Sequence, residues 1–301
     1  MEVAEAYAPA HITGLFQICD KPADPLQQGS KGAGVCLKLG VKTRVALEKA
    51  SENNIEIWIN GQKQNAAKVS ETVVNEFLAR TSEKFAVKIE HTVEVPVGAG
   101  FGSSGAAALS LALALNEALQ LGLTPIQAAQ IAHVAEVKCK TGLGTVIAEF
   151  FGGLEIRTIP GAPGIGEVHR IPAADEYQAV CLSFGSLSTA KALADMELRR
   201  RINEHGAELL NVLVETPTVE NFLKLSRRFA ENTGLITSRV RKVLDAADVL
   251  GVVCSMPMFG EAVFSIVKPE KVEILLEVFR KNHVGGEVFT SEIGFEGARL
   301  L

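Results

Sequence analysis

The fold of this chain is decided by the stretch PVGAGFGSSG, residues Pro96 to Gly105. It lies between an alternating strand pattern, Phe85 to Val95, and a long apolar helical pattern that starts at Ser104. Its closely spaced glycines allow backbone N–H groups to turn toward one point, and the start of the helix adds the positive end of its dipole there. The stretch is therefore predicted to bind an anion, and phosphate is the expected ligand.

Three phosphate-binding patterns compete for this loop, and a loop without a ligand is a further alternative. A P-loop needs a lysine after its last glycine, and none follows a glycine here. Gly100 to Gly105 matches G-x-G-x-x-G, but a dinucleotide-binding fold needs a second strand ending in an acidic residue about 20 residues later. A second helix is predicted instead, capped at Thr124-Pro125 and ending near Lys138. A glycine turn that only links strand and helix also stays open, because serines at a helix start are ordinary caps.

The third pattern, P-x-x-x-G-x-G-S-S, fits residues 96–104 position by position and resembles motif two of the GHMP kinases. The resemblance implies that the loop wraps the triphosphate of ATP, with contacts from Pro96, Gly98, Gly100, Gly102, Ser103, Ser104 and Gly105. It also implies that Ser104 and Glu136, a glutamate of the second helix, hold Mg²⁺ and are catalytic. Hydroxyl and carboxylate oxygens are ligands that Mg²⁺ prefers, so the chemistry agrees.

Thr145 departs from the pattern of this family. GHMP kinases of this kind are expected to read Gly-Leu-Gly-Asp at residues 142–145, with the aspartate receiving the proton of the attacking hydroxyl, but this chain reads Gly-Leu-Gly-Thr. Thr145 is therefore a predicted catalytic position with an unexpected residue. Either the reaction proceeds without a base, as in the homoserine kinase branch, or this chain is a weakened variant. Glu149, one helical turn further on, is an alternative proton acceptor.

Two further segments resemble the archaeal pantoate kinase branch of the GHMP kinases. They are APAHITGLF at residues 8–16 and GSKGAGV at residues 29–35. The resemblance implies that ATP phosphorylates (R)-pantoate to 4-phosphopantoate on the archaeal route to coenzyme A. We expect Lys31 to pair with the pantoate carboxylate, with Ser30 and His11 nearby, although relatives usually carry arginine at the position of Lys31.

Two other functions stay open at this point. One is a different GHMP kinase activity on another small hydroxyl substrate. The other is a nucleotide-binding protein with little catalysis, which the threonine at position 145 favours. His133, one turn from Glu136, is expected to be a packing residue with no catalytic role.

The fold class that the resemblance implies is α+β, with two lobes. Residues 1–174 are expected to form an N-terminal lobe like ribosomal protein S5, and residues 175–301 a ferredoxin-like C-terminal lobe. The helical patterns that begin at Met196 agree with a change of architecture near that boundary. With 301 residues, 47% of them hydrophobic, the chain can form a substantial core.

Charge and cysteine content exclude several classes of function. The net charge is −5 and the pI is about 5.8, and the basic residues are scattered, so neither nucleic acid nor a membrane is an expected partner. Five widely spaced cysteines form no C-x-x-C pair, and the N-terminus lacks the pattern of a signal peptide. We expect a cytoplasmic protein with reduced cysteines, and a homodimer.

Overall fold

The computed structural model describes residues 2–172, 176–187 and 194–301. Within them, eleven strands and eight helices form two sheets and the helices packed on them. The strands are β1 (Glu2–Cys19), β2 (Gly29–Lys49), β3 (Asn54–Ile59), β4 (Gln62–Gln64), β5 (Phe85–Val93), β6 (Leu154–Ile159), β7 (Glu167–Arg170), β8 (Gln178–Ser186), β9 (Gly260–Val267), β10 (Glu287–Glu292) and β11 (Arg299–Leu300). The helices are α1 (Lys68–Leu78), α2 (Ser103–Ala118), α3 (Pro125–Cys139), α4 (Thr145–Phe151), α5 (Met196–Glu215), α6 (Val219–Thr233), α7 (Ser238–Asp248) and α8 (Pro269–Asn282).

A long antiparallel hairpin, β1 with β2, organises the N-terminal lobe. The sequence predicts a short first strand followed by an irregular turn at residues 8–16, but β1 continues through that segment as far as Cys19. Two register shifts, after Pro9 and after Thr13, absorb the irregularity. Proline cannot donate to a ladder, so its place at a shift is the physical reason why the segment reads as a break in the sequence.

Strand β2 pairs with two further strands at different points along its length. Its C-terminal half pairs with β5, and its residues Gly32 to Val35 pair with β6. The larger sheet has the order β11-β1-β2-β5-β3-β4, with β6 and β7 attached through β2. Since β6 reaches the hairpin near its turn, side chains of β1, β2 and β6 meet at one end of this sheet.

Helix α2 is buried along nearly its whole length, which holds its N-terminus in place. A buried hydroxyl network ties it to the sheet: Thr43 Oγ1 lies 2.6 Å from Ser110 Oγ and 2.8 Å from His91 Nδ1. Burial lowers the pKa of His91 to about 4, so this imidazole is neutral at physiological pH. The phosphate loop therefore joins a strand and a helix that are both fixed by the core.

Several local predictions are confirmed by the elements. The pair Asn60-Gly61 predicts a tight turn, and it forms the turn between β3 and β4, with positive φ at both residues. Thr124 and Gln127 form a capping box at the start of α3, with proline at the first turn. The sequence of residues 251–264 predicts two strand-like runs around a turn, but only β9 is a strand there, and Ser255 contributes an isolated bridge to Phe264.

The C-terminal lobe contains an antiparallel sheet of the order β10-β8-β9, with helices α5 to α8 around it. Helices α5 and α6 also contact β1, so the two lobes share an interface along the first strand. The expected lobe boundary at residues 174 and 175 lies outside the described residues. No helix in the described ranges has the length and apolar character needed to cross a bilayer.

Candidate functional site

A cavity opens where the phosphate loop, the first hairpin and the loop before β9 meet. Its lining includes most of the site residues that the sequence predicts, together with an apolar wall. The lining residues are His11, Thr13, Phe16, Ser30, Gly98, Gly100, Phe101, Gly102, Ser103, Ser104, Gly105, Glu136, Thr141, Gly142, Leu143, Gly144, Thr145, Met258 and Phe259. Pro96 and Lys31 are predicted site residues that do not belong to this lining.

The phosphate loop has the backbone that its glycines were predicted to permit. Gly98, Gly100 and Gly102 have φ values of 72°, 85° and 67°, in the left-handed region that residues with a Cβ avoid. Gly102 is the N-cap of α2, so the first amides of that helix face the cavity end of the loop. The close packing admits no side chain, since a Cβ on Gly102 would lie 3.0 Å from the His11 backbone. This arrangement can bind phosphate oxygens through backbone N–H groups.

Ser104 and Glu136, the predicted metal ligands, are in direct contact. The Ser104 hydroxyl donates to Glu136 Oε1 at 2.5 Å, and Thr141 Oγ1 donates to the same oxygen at 2.7 Å. Glu136 is only 2% exposed, and burial raises its pKa against the opposing effect of these two hydrogen bonds. A buried carboxylate with an adjacent hydroxyl fits a hard divalent cation, which would relieve the cost of burial. Thr141 was not predicted from the sequence.

No group of three or more His, Cys, Asp or Glu side chains is poised for a metal among the described residues. The pair of Ser104 and Glu136 is thus too small to be a self-sufficient metal cage. It fits Mg²⁺, which usually keeps waters and takes few protein oxygens beside the phosphates of a substrate.

Thr145 begins α4 and lines the cavity at the end of the phosphate loop. A Cβ on Gly105 would lie 3.2 Å from the Thr145 methyl carbon, so this side chain packs directly against the N-terminus of α2. Its Oγ1 is on the side of Gly142, near Glu136. Thr145 therefore lines the cavity beside the phosphate loop, as the predicted proton acceptor would, but its hydroxyl is no general base at neutral pH.

Glu149 lies behind the phosphate loop rather than on the cavity wall. Its carboxyl is fully buried, and neither oxygen has a hydrogen-bond partner. One oxygen is close to Gly102 and the other to Gly105, since Cβ atoms there would come within 2.7 and 2.8 Å of them. Burial first, and then the negative charge of Glu136, raise the pKa of Glu149 well above its ordinary value. The glycines separate it from the cavity, which argues against the alternative that it receives the substrate proton.

We expect Glu149→Gln to be more stable than the wild type at alkaline pH. As the pH rises above 4.5, the ordinary pKa, the unfolded chain ionises first, so the wild type loses stability until the pH passes the raised pKa. Each pH unit in that window costs up to about 1.4 kcal/mol. Urea unfolding of both proteins between pH 5 and pH 9 measures the difference. The exposed Glu52→Gln is the control, and parallel stability curves for wild type and Glu149→Gln would contradict the expectation.

A buried charged cluster lies behind the opposite wall of the cavity. His11 Nε2 is 3.0 Å from Glu155 Oε1, and the same oxygen accepts a short hydrogen bond from the Arg157 guanidinium. Burial lowers the pKa of His11, although Glu155 opposes this shift. Arg157 is adjacent to the cavity, because a Cβ on Gly144 would lie 2.0 Å from Ser30 Oγ and 3.0 Å from Arg157 Nε. That Nε is buried and has no hydrogen-bond partner, so it is an unpaired donor that a ligand oxygen would satisfy.

Lys31 does not belong to the cavity lining, so its pairing with the substrate carboxylate stays a prediction. Ser30 lines the cavity, and successive side chains of a strand point to opposite faces. Lys31 is therefore directed away, and Arg157 is the buried, permanently charged cation among the described residues. The sequence missed Arg157 because it lies 127 residues after Ser30, with no local motif around it.

His133, which is expected to be a packing residue, contacts two backbone carbonyls of the loop before β2. Its Nε2 lies 3.2 Å from the Pro25 carbonyl and 2.9 Å from the Gln28 carbonyl. Carbonyl oxygens only accept, so this nitrogen carries the proton and donates to both. The contact anchors the end of the loop that delivers Ser30 to the cavity.

Comparison with known proteins gives consistent results over nearly the whole chain. A family model described as the GHMP kinases N terminal domain matches residues 67–153. A pantoate kinase from Methanocaldococcus jannaschii is 37% identical over 279 residues, which cover 91% of this chain and 96% of that protein. A pantoate kinase from Thermococcus kodakarensis is 36% identical over 277 residues, with 89% of each chain covered. A solved structure, described as a phosphotransferase related to the CoA biosynthesis pathway, has a TM-score of 0.90 at 32% identity and covers 99% of this chain and 98% of its own.

Proposed function

Because this chain belongs to the pantoate kinase family of GHMP kinases, we propose that it transfers the γ-phosphoryl group of ATP to pantoate, giving 4-phosphopantoate for coenzyme A biosynthesis. The observation that carries this proposal is the single cavity wall that joins the glycine loop, the pair of Ser104 and Glu136, and the residues His11 and Ser30. A phosphate end and a substrate end therefore face each other across one space. The expected α+β fold with two lobes agrees with the same comparisons.

At the phosphate end, the chain contributes positioning and neutralisation of charge. Backbone N–H groups of residues 98–105 and the N-terminus of α2 bind the phosphates of ATP. Ser104 and Glu136 would hold Mg²⁺, which supplies neutralisation of charge on the phosphate oxygens when it is bound. Phosphoryl transfer depends mainly on such positioning and electrostatic stabilisation, so these groups are sufficient to support the reaction.

In the transfer itself, the terminal hydroxyl of pantoate attacks the γ-phosphorus. A bond forms between that oxygen and phosphorus, the bond to the β,γ-bridging oxygen breaks, and ADP leaves. The hydroxyl proton passes to solvent in this chain, because Thr145 is not a base and Glu149 is behind the loop. Proton loss late in a loose transition state is compatible with this arrangement.

At the other end, Arg157 is the group that we assign to the pantoate carboxylate. A carboxylate that leaves water needs a cation or several donors, and Arg157 Nε is buried with no partner of its own. Ser30 and His11 contribute the polar groups that reach the cavity surface. Glu155 holds the guanidinium from behind and keeps the cluster close to neutral.

The test of the proposed function is ATP turnover with and without pantoate, followed by identification of the phosphorylated product by mass spectrometry. We expect ADP formation to depend on pantoate and on Mg²⁺. Homoserine, shikimate and mevalonate serve as alternative acceptors, and faster turnover with one of them would assign a different GHMP kinase activity. ATP binding without turnover on any acceptor would favour the non-catalytic alternative.

We expect Arg157→Ala to raise the KM for pantoate by about 10-fold or more, while the KM for ATP changes little. Losing a charge-assisted hydrogen bond to a buried carboxylate costs about 1.5–3 kcal/mol, which corresponds to this range. Lys31→Ala is the matched control, since it removes a cation from the same region but from the opposite face of β2. Initial-rate kinetics decide between Arg157 and Lys31 as the partner of the pantoate carboxylate. A raised KM for pantoate in Lys31→Ala alone would assign the carboxylate to Lys31.

The setting of the enzyme is also part of the proposal. All five cysteines are free thiols, which agrees with a reducing compartment, and we place the protein in the cytoplasm. We propose a homodimer, which sedimentation at several protein concentrations would test.

A further inference from the structure

Phe259 has a backbone conformation that an aromatic residue rarely adopts. Its φ is +62°, in the left-handed region, and a side chain with a Cβ costs roughly 1–2 kcal/mol there. Glycine or asparagine would fit this turn at lower cost. A strained residue persists only where its surroundings hold it, so the contacts of the Phe259 side chain must maintain this conformation.

The surroundings of Phe259 are well defined. Its ring packs against Phe16 in an edge arrangement, with 5.7 Å between centroids, and both rings line the cavity. The residues on either side anchor the loop to the two ends of the site. Met258 N donates to the Thr13 carbonyl at 3.1 Å, and Gly260 is so close to the phosphate loop that a Cβ there would lie 1.9 Å from the Ala99 carbonyl.

This anchoring places Phe259 between the two ends of the cavity. The phosphate loop is on one side of it, and the hairpin that carries His11 and Ser30 is on the other. A substrate that spans both ends would therefore have its central atoms near Phe259 and Phe16. In pantoate those atoms are a carbon with two methyl groups, which is the apolar part of an otherwise polar molecule.

We propose that Phe259 is a specificity-determining residue, whose ring contacts the two methyl groups of pantoate and selects a branched apolar centre over an unbranched one. The inference rests on the proposed function, since it takes pantoate as the substrate. It explains why the strain at Phe259 is retained: a glycine would relax the backbone but leave the cavity wider at that point. One methyl group in an apolar pocket changes specificity by about 10- to 200-fold.

The test compares pantoate with 2,4-dihydroxybutanoate, which has the same reacting hydroxyl and carboxylate but no methyl groups. The wild type is expected to prefer pantoate by at least about tenfold in kcat/KM. Phe259→Gly, which removes the ring and keeps the turn, is expected to reduce that preference by about tenfold, mainly through a lower kcat/KM for pantoate. Phe259→Asn, which also tolerates a positive φ, is expected to do the same. The KM for ATP in each variant should stay within about twofold of the wild-type value, because the substitution does not alter nucleotide binding.

Phe184→Ala is the matched control, because this aromatic residue of the C-terminal lobe is not in the cavity lining. It should leave the preference unchanged, and near-UV circular dichroism of each variant shows whether it is folded. A wild type that does not discriminate between the two substrates overturns the inference, whatever the variants do. So does a folded Phe259→Gly or Phe259→Asn enzyme with the wild-type preference. If the wild type phosphorylates neither compound, the proposed function itself fails.

Discussion

Ser104→Ala and Glu136→Gln are each expected to lower kcat for pantoate phosphorylation by roughly 10²-fold or more. Each change removes an oxygen that positions the cation beside the phosphates, where the protein supplies few other ligands. The loss appears mainly in kcat, because the interaction is stronger in the transition state than with bound ATP. Initial rates measured over a wide range of Mg²⁺ concentration provide the test.

Thr141→Val is the matched control for this pair. It removes the second hydroxyl that donates to Glu136 while keeping the shape of the side chain, so it alters the orientation of Glu136 without removing a ligand. A smaller loss, of about tenfold, is expected, as for groups that orient ligands. Near wild-type turnover and unchanged dependence on Mg²⁺ in Ser104→Ala or Glu136→Gln would remove that residue from the metal site.

Thr145→Asp is expected to raise kcat, by as much as about 10²-fold if proton acceptance limits the rate. The position lines the cavity at the end of the phosphate loop, so the new carboxylate meets the attacking hydroxyl there. Both KM values should change little, because a base acts in the transition state. The gain is small if product release limits turnover instead, and single-turnover rates separate the two cases.

The pH dependence of the variant provides a second readout. The activity of Thr145→Asp should fall at low pH as the new carboxylate becomes protonated, and the wild type should lack that decrease. Thr145→Val is the matched control, with neither hydroxyl nor carboxylate. If both Thr145→Asp and Thr145→Val lower the activity of a fast wild-type enzyme, the missing-base explanation is wrong and the hydroxyl of Thr145 positions the substrate.

The parts of the site that the sequence predicted are those set by short-range geometry. The glycine loop, the serine at the start of α2 and the capped start of α3 depend on backbone conformations that the local residues impose. Helical spacing along α3 then brings Glu136 to the face that meets Ser104. A family resemblance added the identity of the ligand, and the comparisons agree with it.

Other elements were misjudged because their local signals are ambiguous. Pro9 and Gly14 read as a turn, but pairing with β2 along the hairpin keeps β1 extended. Lys31 was assigned from the resemblance of residues 29–35 and from its charge, and it does not belong to the cavity lining. Which side of a strand faces a cavity depends on what packs on that strand, and a register shift of one residue moves every side chain to the opposite face.

What this sequence determines by itself is therefore the phosphate end of the site, because residues 96–105 contain almost everything that makes an anion-binding loop. At the substrate end, the sequence pointed to His11 and Ser30, but Arg157 and Phe259 were brought there only by the tertiary structure. Arg157 reaches Ser30 through the pairing of β6 with β2, and Phe259 reaches Phe16 because the two lobes pack along β1. Contacts between residues more than a hundred positions apart are fixed by how sheets and lobes pack, and no local pattern around either residue encodes them.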